Sequence, residues 1–533
     1  MIHRIRGYVL PAVLLVAVAL GGLGLVWAPA WWGLVLVGPL AGLGIHDVLQ
    51  RRHALLRNYP ILGHLRFLLE DMGPELHQYF VESHTDGRPF DRDRRTLAYT
   101  RAKNVADTKP FGTELDVYEE GYVWLAHSIA PKPVPERPWE TLRVRVGGPS
   151  CSRPYEASIL NISAMSFGAL GARAILALNA GAKKGGFAHN TGEGGLSRYH
   201  RENGGDIIWQ IGTGYFGCRT PAGGFDPDRF AKQARLDQVK MIELKLSQGA
   251  KPGHGGILPA AKVSEEIAAA RGVPPHEDCL SPTWHRAFST PIELLEFIIR
   301  LRELCGGKPV GFKLCVGRPA EFLGICKAML ETGITPDFVT VDGGEGGTGA
   351  APLEFSNHVG MPLVEGLLFV HNALVGIGVR DRLRIAASAK RISGFHIATA
   401  LSLGADWCNS ARGFMFALGC IQAQICHTNR CPVGVTTQNP RLQRALVVEE
   451  KAERVYHFHR NTVKALAEIV AAAGLSHPGE LRPHHIWERT AAYEVRNFAE
   501  IYEFLEPGQL LDGRADGFLK PYWDRADARS FQA

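Results

Sequence analysis

The 533-residue sequence predicts an α/β fold: a (β/α)8 TIM barrel with an N-terminal transmembrane helical hairpin and a C-terminal helical extension. Three observations predict it: a nearly uncharged N-terminal interval, eight short apolar runs alternating with helical segments, and an amphipathic pattern near the C-terminus. We therefore divide the chain into a hairpin over 1–50, a lead-in that wraps the barrel over 51–150, the barrel over 151–436 and the extension over 437–533.

The N-terminal interval carries no Asp, Glu, Lys or Arg between Arg6 and Asp47, and it breaks once, at APA over 28–30. One membrane span needs about 20 apolar residues, so the interval fits two arms, the second somewhat short. The turn holds the aromatic residues expected at a membrane interface, which are Trp27, Trp31 and Trp32.

Arginines flank the hairpin on both sides, and they are Arg4, Arg6, Arg51, Arg52 and Arg57. The positive-inside rule then places both ends in the cytoplasm. We expect a cell-membrane protein whose barrel lies on the cytoplasmic side. A cleaved signal peptide ending at APA and a buried hairpin of a soluble protein are the alternatives.

Composition excludes some classes of protein. With 46% hydrophobic and 21% charged residues the chain is of ordinary globular type, and its net charge of +6 is scattered. No basic run suggests a nucleic-acid partner. Ten unevenly placed cysteines in a chain of this length do not fit a small disulfide-stapled secreted scaffold.

Eight apolar or β-branched runs, each ending in glycine or polar residues, predict the barrel strands. They lie at 157–163, 186–192, 206–212, 240–247, 309–315, 337–343, 383–388 and 405–410. Helices are predicted over 169–184, 319–333 and 394–404, and a gap of about 60 residues after the fourth strand implies an inserted region over the mouth. The active site of such a barrel lies where the strands end.

A broad apolar stripe over 447–474 predicts a long helix that packs on the barrel and stops at Pro478.

Cys420, Cys426 and Cys431 form a C-x5-C-x4-C segment after the eighth strand. Thiolates select zinc, copper or iron–sulfur, and three of them suit a [3Fe–4S] cluster. Zinc with His427 as a fourth ligand is an alternative, although adjacent residues seldom point at one ion. Three small buried hydrophobic residues are another alternative.

Polar residues follow several predicted strands. Glu193 lies in HNTGEGG after the second strand, and Lys245 and Lys251 lie in a glycine-rich stretch after the fourth, where they can meet an anion. Lys313 is on an otherwise apolar strand and must have a partner. A flavin that becomes anionic on reduction is one such partner, and a structural salt bridge to a barrel carboxylate is the other.

Phosphate groups commonly bind to the loops after strands seven and eight of such barrels. Here those loops offer Ser388, Asn409 and Ser410. The cluster VDGGEGGTGA at 341–350, which includes Gly344, could lie beneath a flat ring system. No GxGxxG in a strand-to-helix context and no P-loop occur, so we expect no NAD site.

Five stretches together resemble the FMN-binding synthase domain of glutamate synthases, over roughly residues 95 to 490. They are ISAMSFGALG, HNTGEGG, LSQGAKPGHGG, VDGGEGGTGAAP and GCIQAQICHTNRCPVGVTTQNP. The resemblance implies a barrel that holds FMN, a [3Fe–4S] cluster that passes electrons to it, and formation of L-glutamate from 2-oxoglutarate and ammonia.

The resemblance also implies roles for single residues. Ala164, Ser166, Gln210 and Lys313 match positions beside the flavin, and Cys420, Cys426 and Cys431 match the cluster ligands. Glu193 and Lys251 match positions near the 2-oxo acid, where Lys251 can pair with a carboxylate. With Lys313 they form the predicted catalytic set.

The sequence departs from the family pattern at several places. Ile257 and His254 stand where the family usually has Gln and Glu, which puts 2-oxoglutarate itself in question. Ala389 and Lys390 replace typical glycines of the phosphate loop, where Lys390 could meet the phosphate directly. The amidotransferase domain has no counterpart in this sequence, and the hairpin resembles that of stand-alone, membrane-anchored glutamate-synthase-domain proteins.

These observations predict a membrane-tethered FMN and [3Fe–4S] oxidoreductase that aminates a 2-oxo acid reductively. Its partners are then ammonia, a 2-oxo acid and an electron donor, either ferredoxin or an NAD(P)H-oxidising protein. A related synthase that uses an amine, an electron-transfer protein without turnover, and a barrel dehydrogenase with a nucleophilic cysteine are the alternatives.

Overall fold

The computed structural model describes residues 2–514 and 517–532, with side chains described from Tyr8 onward. The side chains of Arg4 and Arg6, two of the arginines that predict the orientation of the hairpin in the membrane, therefore lie outside the described part of the chain. The chain divides into two compact units, Met1–Arg92 and Asp93–Ala533.

The first unit begins with the predicted hairpin. Its arms are α1 (Ile2–Gly24) and α2 (Trp31–Leu49), joined by a 3-10 turn at Ala28–Ala30. The arms pack closely, since a Cβ added at Gly33 would lie 2.9 Å from the Leu20 side chain. Short helices follow at Ala54–Asn58 and Leu62–Leu76, the latter continuing as a π-helical turn at His77–Val81.

Among the described residues, Ala28–Leu49 is the one helix long and apolar enough to cross a membrane. It has 22 residues and a mean hydropathy of 1.5, and the shorter Tyr8–Gly24 is also apolar. The second arm, predicted to be somewhat short, is thus the arm that is long and apolar enough to cross a membrane. Signal sequences and the core helices of soluble proteins can have the same length and apolar composition.

The second unit contains a closed barrel of eight parallel strands. In chain order they are β1 (Leu160–Ile162), β2 (His189–Asn190), β3 (Ile207–Ile211), β4 (Val239–Lys245), β5 (Val310–Leu314), β6 (Phe338–Asp342), β7 (Arg384–Ser388) and β8 (Trp407–Ser410). Each falls within a predicted strand segment to within a residue, and β8 pairs with β1 to close the barrel. The (β/α)8 prediction is confirmed.

Helices cover the outside of the barrel. They are α3 (Ala172–Gly185), α4 (Arg198–Arg201), α5 (Pro227–Ala234), α6 (Pro291–Leu304), α7 (Pro319–Thr332), α8 (Leu363–Gly376), α9 (Gly394–Ser402) and α10 (Arg412–Leu418). Side-chain caps begin several of them: Asp226 accepts from two N–H groups of α5, and Thr290 forms a capping box with α6. The three predicted barrel helices are present.

The predicted insertion separates β4 from β5. It holds paired strands at Ile257–Leu258 and Cys279–Leu280 and a helix at Glu265–Arg271, which Ser264 caps. Since it starts from the carboxyl end of β4, it lies at the mouth, as expected.

The opposite end of the barrel is closed by an antiparallel pair, Arg143–Val146 with Tyr155–Ser158. Its Val146 and Ala157 belong to a fully buried apolar cluster with residues of the barrel strands, which are Ala188, Ile208, Met241, Phe338, Ala386 and Trp407. A buried ion pair, Arg302 with Asp337 at 2.9 Å, adds to this region.

The long helix α11 (Val448–Ala472) follows the cysteine segment. It packs on α3, because a Cβ added at Gly181 would lie 2.5 Å from Val455. The helix ends six residues before Pro478, so Pro478 is not its stop. Gly474, at φ +81°, comes two residues after Ala472 and supplies the left-handed conformation common after helix ends.

The extension is not only helical. Ile486–Ala491 pairs with Glu494–Asn497 and with Val123–Leu125 of the lead-in, forming a three-stranded antiparallel sheet that the sequence did not indicate. Further short helices lie at Arg92–Ala102, Pro138–Thr141, Leu353–His358, Pro440–Gln443, Phe498–Ile501 and Lys520–Arg525.

Candidate functional site

A buried carboxylate organises the interior of the barrel near its mouth. Glu243 of β4 is fully buried and accepts hydrogen bonds from Asn190 Nδ2 at 2.8 Å and Gln210 Nε2 at 2.7 Å. Its other oxygen accepts from Thr340 Oγ1 at 2.7 Å. The Gln210 amide therefore turns its NH2 toward Glu243, and its carbonyl oxygen accepts no hydrogen bond from the described residues.

Lys313 of β5 has carboxylate partners in the barrel. Its Nζ lies 3.2 Å from Asp342 Oδ2, an oxygen that also accepts from the Gly249 N–H. Burial lowers the pKa of Lys313, but the charges of Asp342 and Glu243 outweigh burial and the pKa is raised. Lys313 is therefore a permanent cation at the mouth, and the salt bridge considered as an alternative is present.

A second group of charges surrounds a cavity under the insertion. Lys245 Nζ lies 3.1 Å from Glu193 Oε2 and donates to Gln248 Oε1 at 2.7 Å. Lys251 lines the same cavity. The structure thus brings Glu193 and Lys251, predicted from widely separated loops, into one pocket that Lys245 also lines.

Burial and neighbouring charges set the protonation of this pocket. Burial raises the pKa of Glu193, but Lys245 and Arg271 outweigh it and the pKa is lowered, so the carboxylate is ionised. Burial lowers the pKa of Lys251 to about 8, although the Glu193 charge acts in the opposite direction. Among the described residues Lys251 Nζ has no hydrogen-bond partner, which suits it to bind an anion.

Arg271 is a cation of this region that sequence reasoning missed. It lies at the end of the insertion helix, is 5% exposed, and donates to the Phe167 carbonyl at 3.4 Å. Its guanidinium also stacks over the Phe216 ring, 5.0 Å from the centroid. Its helix lies in the insertion, far along the chain from the end of any barrel strand, so no local pattern indicated it.

The loops after β7 and β8 lie next to the loop after β1. Ser388 Oγ is 3.3 Å from Ser163 Oγ, and Ser410 Oγ donates to the Arg391 carbonyl at 2.6 Å. Asn409 accepts from the Trp407 indole at 3.1 Å. Lys390 holds a left-handed backbone, φ +44°, at the centre of the β7 loop.

Close backbone approach explains two glycines of the mouth. A Cβ at Gly249 would lie 1.8 Å from the Gly343 carbonyl oxygen, and one at Gly344 would lie 2.6 Å from the Gly360 carbonyl oxygen. Because neither position has a side chain, the loop after β4 can meet the loop after β6 at Gly249, and the stretch after β6 can fold back on itself at Gly344.

The loop after β1, which holds Ala164 and Ser166, packs on the loop after β2. A Cβ at Gly192 would lie 3.0 Å from the Ser166 backbone N. Ser166 is half-buried, and the Met165 N–H donates to the Asn190 carbonyl at 3.0 Å. The predicted β1 and β2 residues are thus neighbours at the mouth.

Cys420, Cys426 and Cys431 line one small cavity. Burial raises the pKa of Cys420. In the described part of the chain, no three His, Cys, Asp or Glu side chains converge closely enough to hold a single metal ion. His427 is exposed and does not line the cavity, which disfavours the zinc alternative.

Lys262 of the insertion reaches this cysteine segment. Its Nζ donates to the Ala169 carbonyl at 2.6 Å and lies 3.4 Å from the Cys426 carbonyl, and the side chain is 3% exposed. Asn429 donates to the Ala261 carbonyl at 2.9 Å. The insertion therefore touches both the lysine-lined pocket and the cysteines, a link that sequence spacing did not indicate.

Two of the departures from the family pattern, His254 and Ile257, lie in the insertion. His254 packs edge-on against Phe355, with ring centroids 5.0 Å apart. Ile257 belongs to the short strand pair opposite Leu280. Neither side chain lines the lysine pocket.

The conserved region of glutamate synthase matches residues 153–476, more than half of the chain. The chain belongs to the glutamate synthase family. As a member of this family it is an oxidoreductase, and its matched region spans the barrel, the cysteine segment and α11.

Relatives support this assignment. This chain is 40% identical over 504 residues to the glutamate synthase large subunit-like protein YerD of Bacillus subtilis. The match covers 87% of this chain and 95% of that protein. It is 34% identical over 324 residues to the archaeal glutamate synthase (NADPH) of Methanocaldococcus jannaschii, covering 60% of each. The chain thus matches less than two thirds of the archaeal enzyme.

A solved mandelate oxidase with (S)-4-hydroxymandelic acid is similar over 76% of this chain and 90% of its own, at 12% identity and a TM-score of 0.41. A likeness this weak says nothing of ligands.

Proposed function

We propose that this glutamate synthase family member uses FMN and a [3Fe–4S] cluster to aminate a 2-oxo acid, 2-oxoglutarate or a relative of it, to the L-amino acid with ammonia. The observation that carries the proposal is the charged array at the barrel mouth. A permanent cation, Lys313, lies beside a pocket that holds Lys251 and the ionised Glu193.

The residues of the mouth fit FMN. Hydroxyl and amide groups at the ends of β7 and β8, with Lys390, suit a phosphate. Glu243 holds the Gln210 side chain, and Asp342 holds the Lys313 side chain. Held in this way, Gln210 and Lys313 would face the flavin ring. FMN bound there would supply a hydride.

The substrate roles follow from charge. Lys251 Nζ binds a substrate carboxylate, which its lack of a partner among the described residues favours. Glu193 Oε2 and Lys245 Nζ, 3.1 Å apart, form a pair across which a proton can be held or passed. The insertion over the pocket excludes water from these groups.

The cysteine segment fits a cluster better than a single ion. The three thiols surround one cavity but do not converge as ligands of one ion do. A cluster is a larger body than an ion, so its ligands stand further apart. Such a cluster would relay single electrons from a donor, ferredoxin or an NAD(P)H-oxidising partner.

We also propose that the hairpin anchors the protein in the cell membrane with the barrel on the cytoplasmic side. The apolar length of Ala28–Leu49 and the arginines that follow it support this.

Anaerobic purification, followed by assays of flavin, iron and acid-labile sulfide, tests the cofactors. Reoxidation of the reduced protein by 2-oxoglutarate plus ammonium, with amino-acid analysis of the product, tests the reaction. We expect glutamate in proportion to the electrons consumed. Absence of flavin or iron would contradict the cofactor proposal.

A panel of 2-oxo acids and amines separates the remaining alternatives. Faster reoxidation with an amine than with ammonium would indicate a related synthase. Reoxidation by none of the pairs, in protein that holds both cofactors, would indicate an electron-transfer protein. Lys251→Gln serves as a control, since it should weaken 2-oxo acid binding without loss of flavin.

A further inference from the structure

The helix Leu62–Leu76 and its continuation His77–Val81 carry an apolar stripe that faces outward. Seven of its side chains are between 39% and 83% exposed: Leu65, Leu68, Leu69, Met72, Leu76, Tyr79 and Phe80. Their spacing of three and four residues places them on one side of the helix. An exposed apolar band of this length marks an interaction surface.

The opposite side of this helix is polar. Arg66 pairs with Glu70 at 2.8 Å, and both are exposed. Asp71 and Glu75 add two further exposed carboxylates. The helix therefore has the two-sided pattern of a helix that lies in a membrane interface, although its polar side is acidic where many such helices are basic.

The helix begins at a group of three residues, Asp47, Ile61 and His64, which we call the clamp. Asp47 of α2 is fully buried, and its carboxylate accepts from the Ile61 N–H at 2.9 Å and contacts His64 Nε2 at 2.9 Å. Asp47 lies two residues before Leu49, the end of α2. The first turn of the amphipathic helix is thus held at the end of the apolar helix.

The clamp also orients the stripe. Phe67 contacts His53 with ring centroids 6.0 Å apart. At 100° per residue, His64 and Phe67 project more than a quarter turn away from the centre of the stripe. The inner side of the helix is therefore held by the clamp and by His53, while the stripe stays uncovered.

We propose that the stripe from Leu65 to Phe80 lies on the lipid surface next to the hairpin. This rests on the membrane anchoring proposed above: if α2 spans the bilayer, Leu49 is at its boundary, and the clamp starts the amphipathic helix at the same boundary. The acyl region is then the apolar medium nearest to the stripe. This contact would hold the chain leading to the barrel flat against the membrane.

Hydrogen exchange with mass spectrometry tests the proposal on the full chain in nanodiscs of phosphatidylcholine and phosphatidylglycerol. The variant Leu65→Ser/Leu69→Ser/Met72→Ser removes the stripe. The matched control, Glu70→Gln/Glu75→Gln, changes the polar side. We expect amides of residues 65–80 to exchange about tenfold faster in the stripe variant than in the native protein, and the control to match the native protein.

Three outcomes overturn the proposal in distinguishable ways. Equal exchange in all three proteins would show that lipid does not cover the stripe. Protection only in discs that hold two copies would identify a second copy of the chain as the partner. Extraction of the whole protein from membranes by alkaline carbonate would refute the anchoring itself. Leu68→Lys, a single substitution, repeats the test if the triple variant misfolds.

Discussion

The charge of Lys251 should make anion binding at the barrel mouth depend on pH. Burial lowers its pKa to about 8, so the ammonium is about 90% protonated near pH 7 and about 10% near pH 9. If a carboxylate binds only to the protonated form, its dissociation constant rises about tenfold over that interval. A tenfold change corresponds to about 1.4 kcal/mol.

Loss of folding does not explain such an effect. The folded pKa lies below the usual 10.5 of lysine, so the unfolded chain binds more protons between these two values. Stability contributed by this group therefore rises with pH across that window. Binding is present below the folded pKa and lost above it.

Calorimetric titration of 2-oxoglutarate into the purified protein measures this dependence without turnover. Lys251→Arg is the matched control, since a guanidinium stays charged over the whole range. Its dissociation constant should vary less than about twofold over the same interval. An unchanged pH dependence in this variant would show that another group, such as Lys245, titrates, and would refute the reasoning.

Three further substitutions test separate parts of the structure. Glu243→Leu removes the acceptor of three buried donors, and each donor left unsatisfied costs about 1–3 kcal/mol. The midpoint of thermal unfolding should therefore fall well below that of Glu243→Gln. Equal midpoints in the two variants would contradict the hydrogen-bond network. Cys431→Ala should lower bound iron while Cys326→Ala, on the outer helix α7, keeps it; equal iron contents would argue against the cysteine cluster. Arg302→Leu leaves the buried Asp337 carboxylate without its cation and should cost about 3–5 kcal/mol in chemical denaturation. A change under about 1 kcal/mol would mean that water or the N–H groups of Gly148 and Val310 compensate for the lost cation.

Much of the fold was predictable because it is encoded locally. Each barrel strand is a short apolar run that ends in glycine or polar residues. In each predicted helix, apolar residues recur at a spacing of three and four. Those signals need no knowledge of distant residues. The small sheet of Val123–Leu125 with the C-terminal strands was missed, because its edge strand is three residues long and its partner lies more than 350 residues away.

The site was predictable only in part. Glu193 and Lys251 were identified as polar residues after strand ends, which parallel strands bring to one face. Lys313 was identified as a lysine on an apolar strand, and the cysteines by their spacing. Whether each of them contacts a ligand stays a prediction. Glu243 and Arg271 were missed, one because a carboxylate inside a strand looks like a surface residue, the other because it belongs to the insertion.

The sequence by itself determined the alternation of strands and helices, the apolar hairpin and the cysteine spacing, because each depends on neighbours in the chain. Only the tertiary structure decided which charges meet. Lys313 pairs with Asp342 because β5 and β6 are adjacent and parallel. Lys262 contacts the Cys426 backbone, 164 residues away, because the barrel closes and the insertion folds over it. Closure of the barrel turns polar residues from separate loops into one charged mouth.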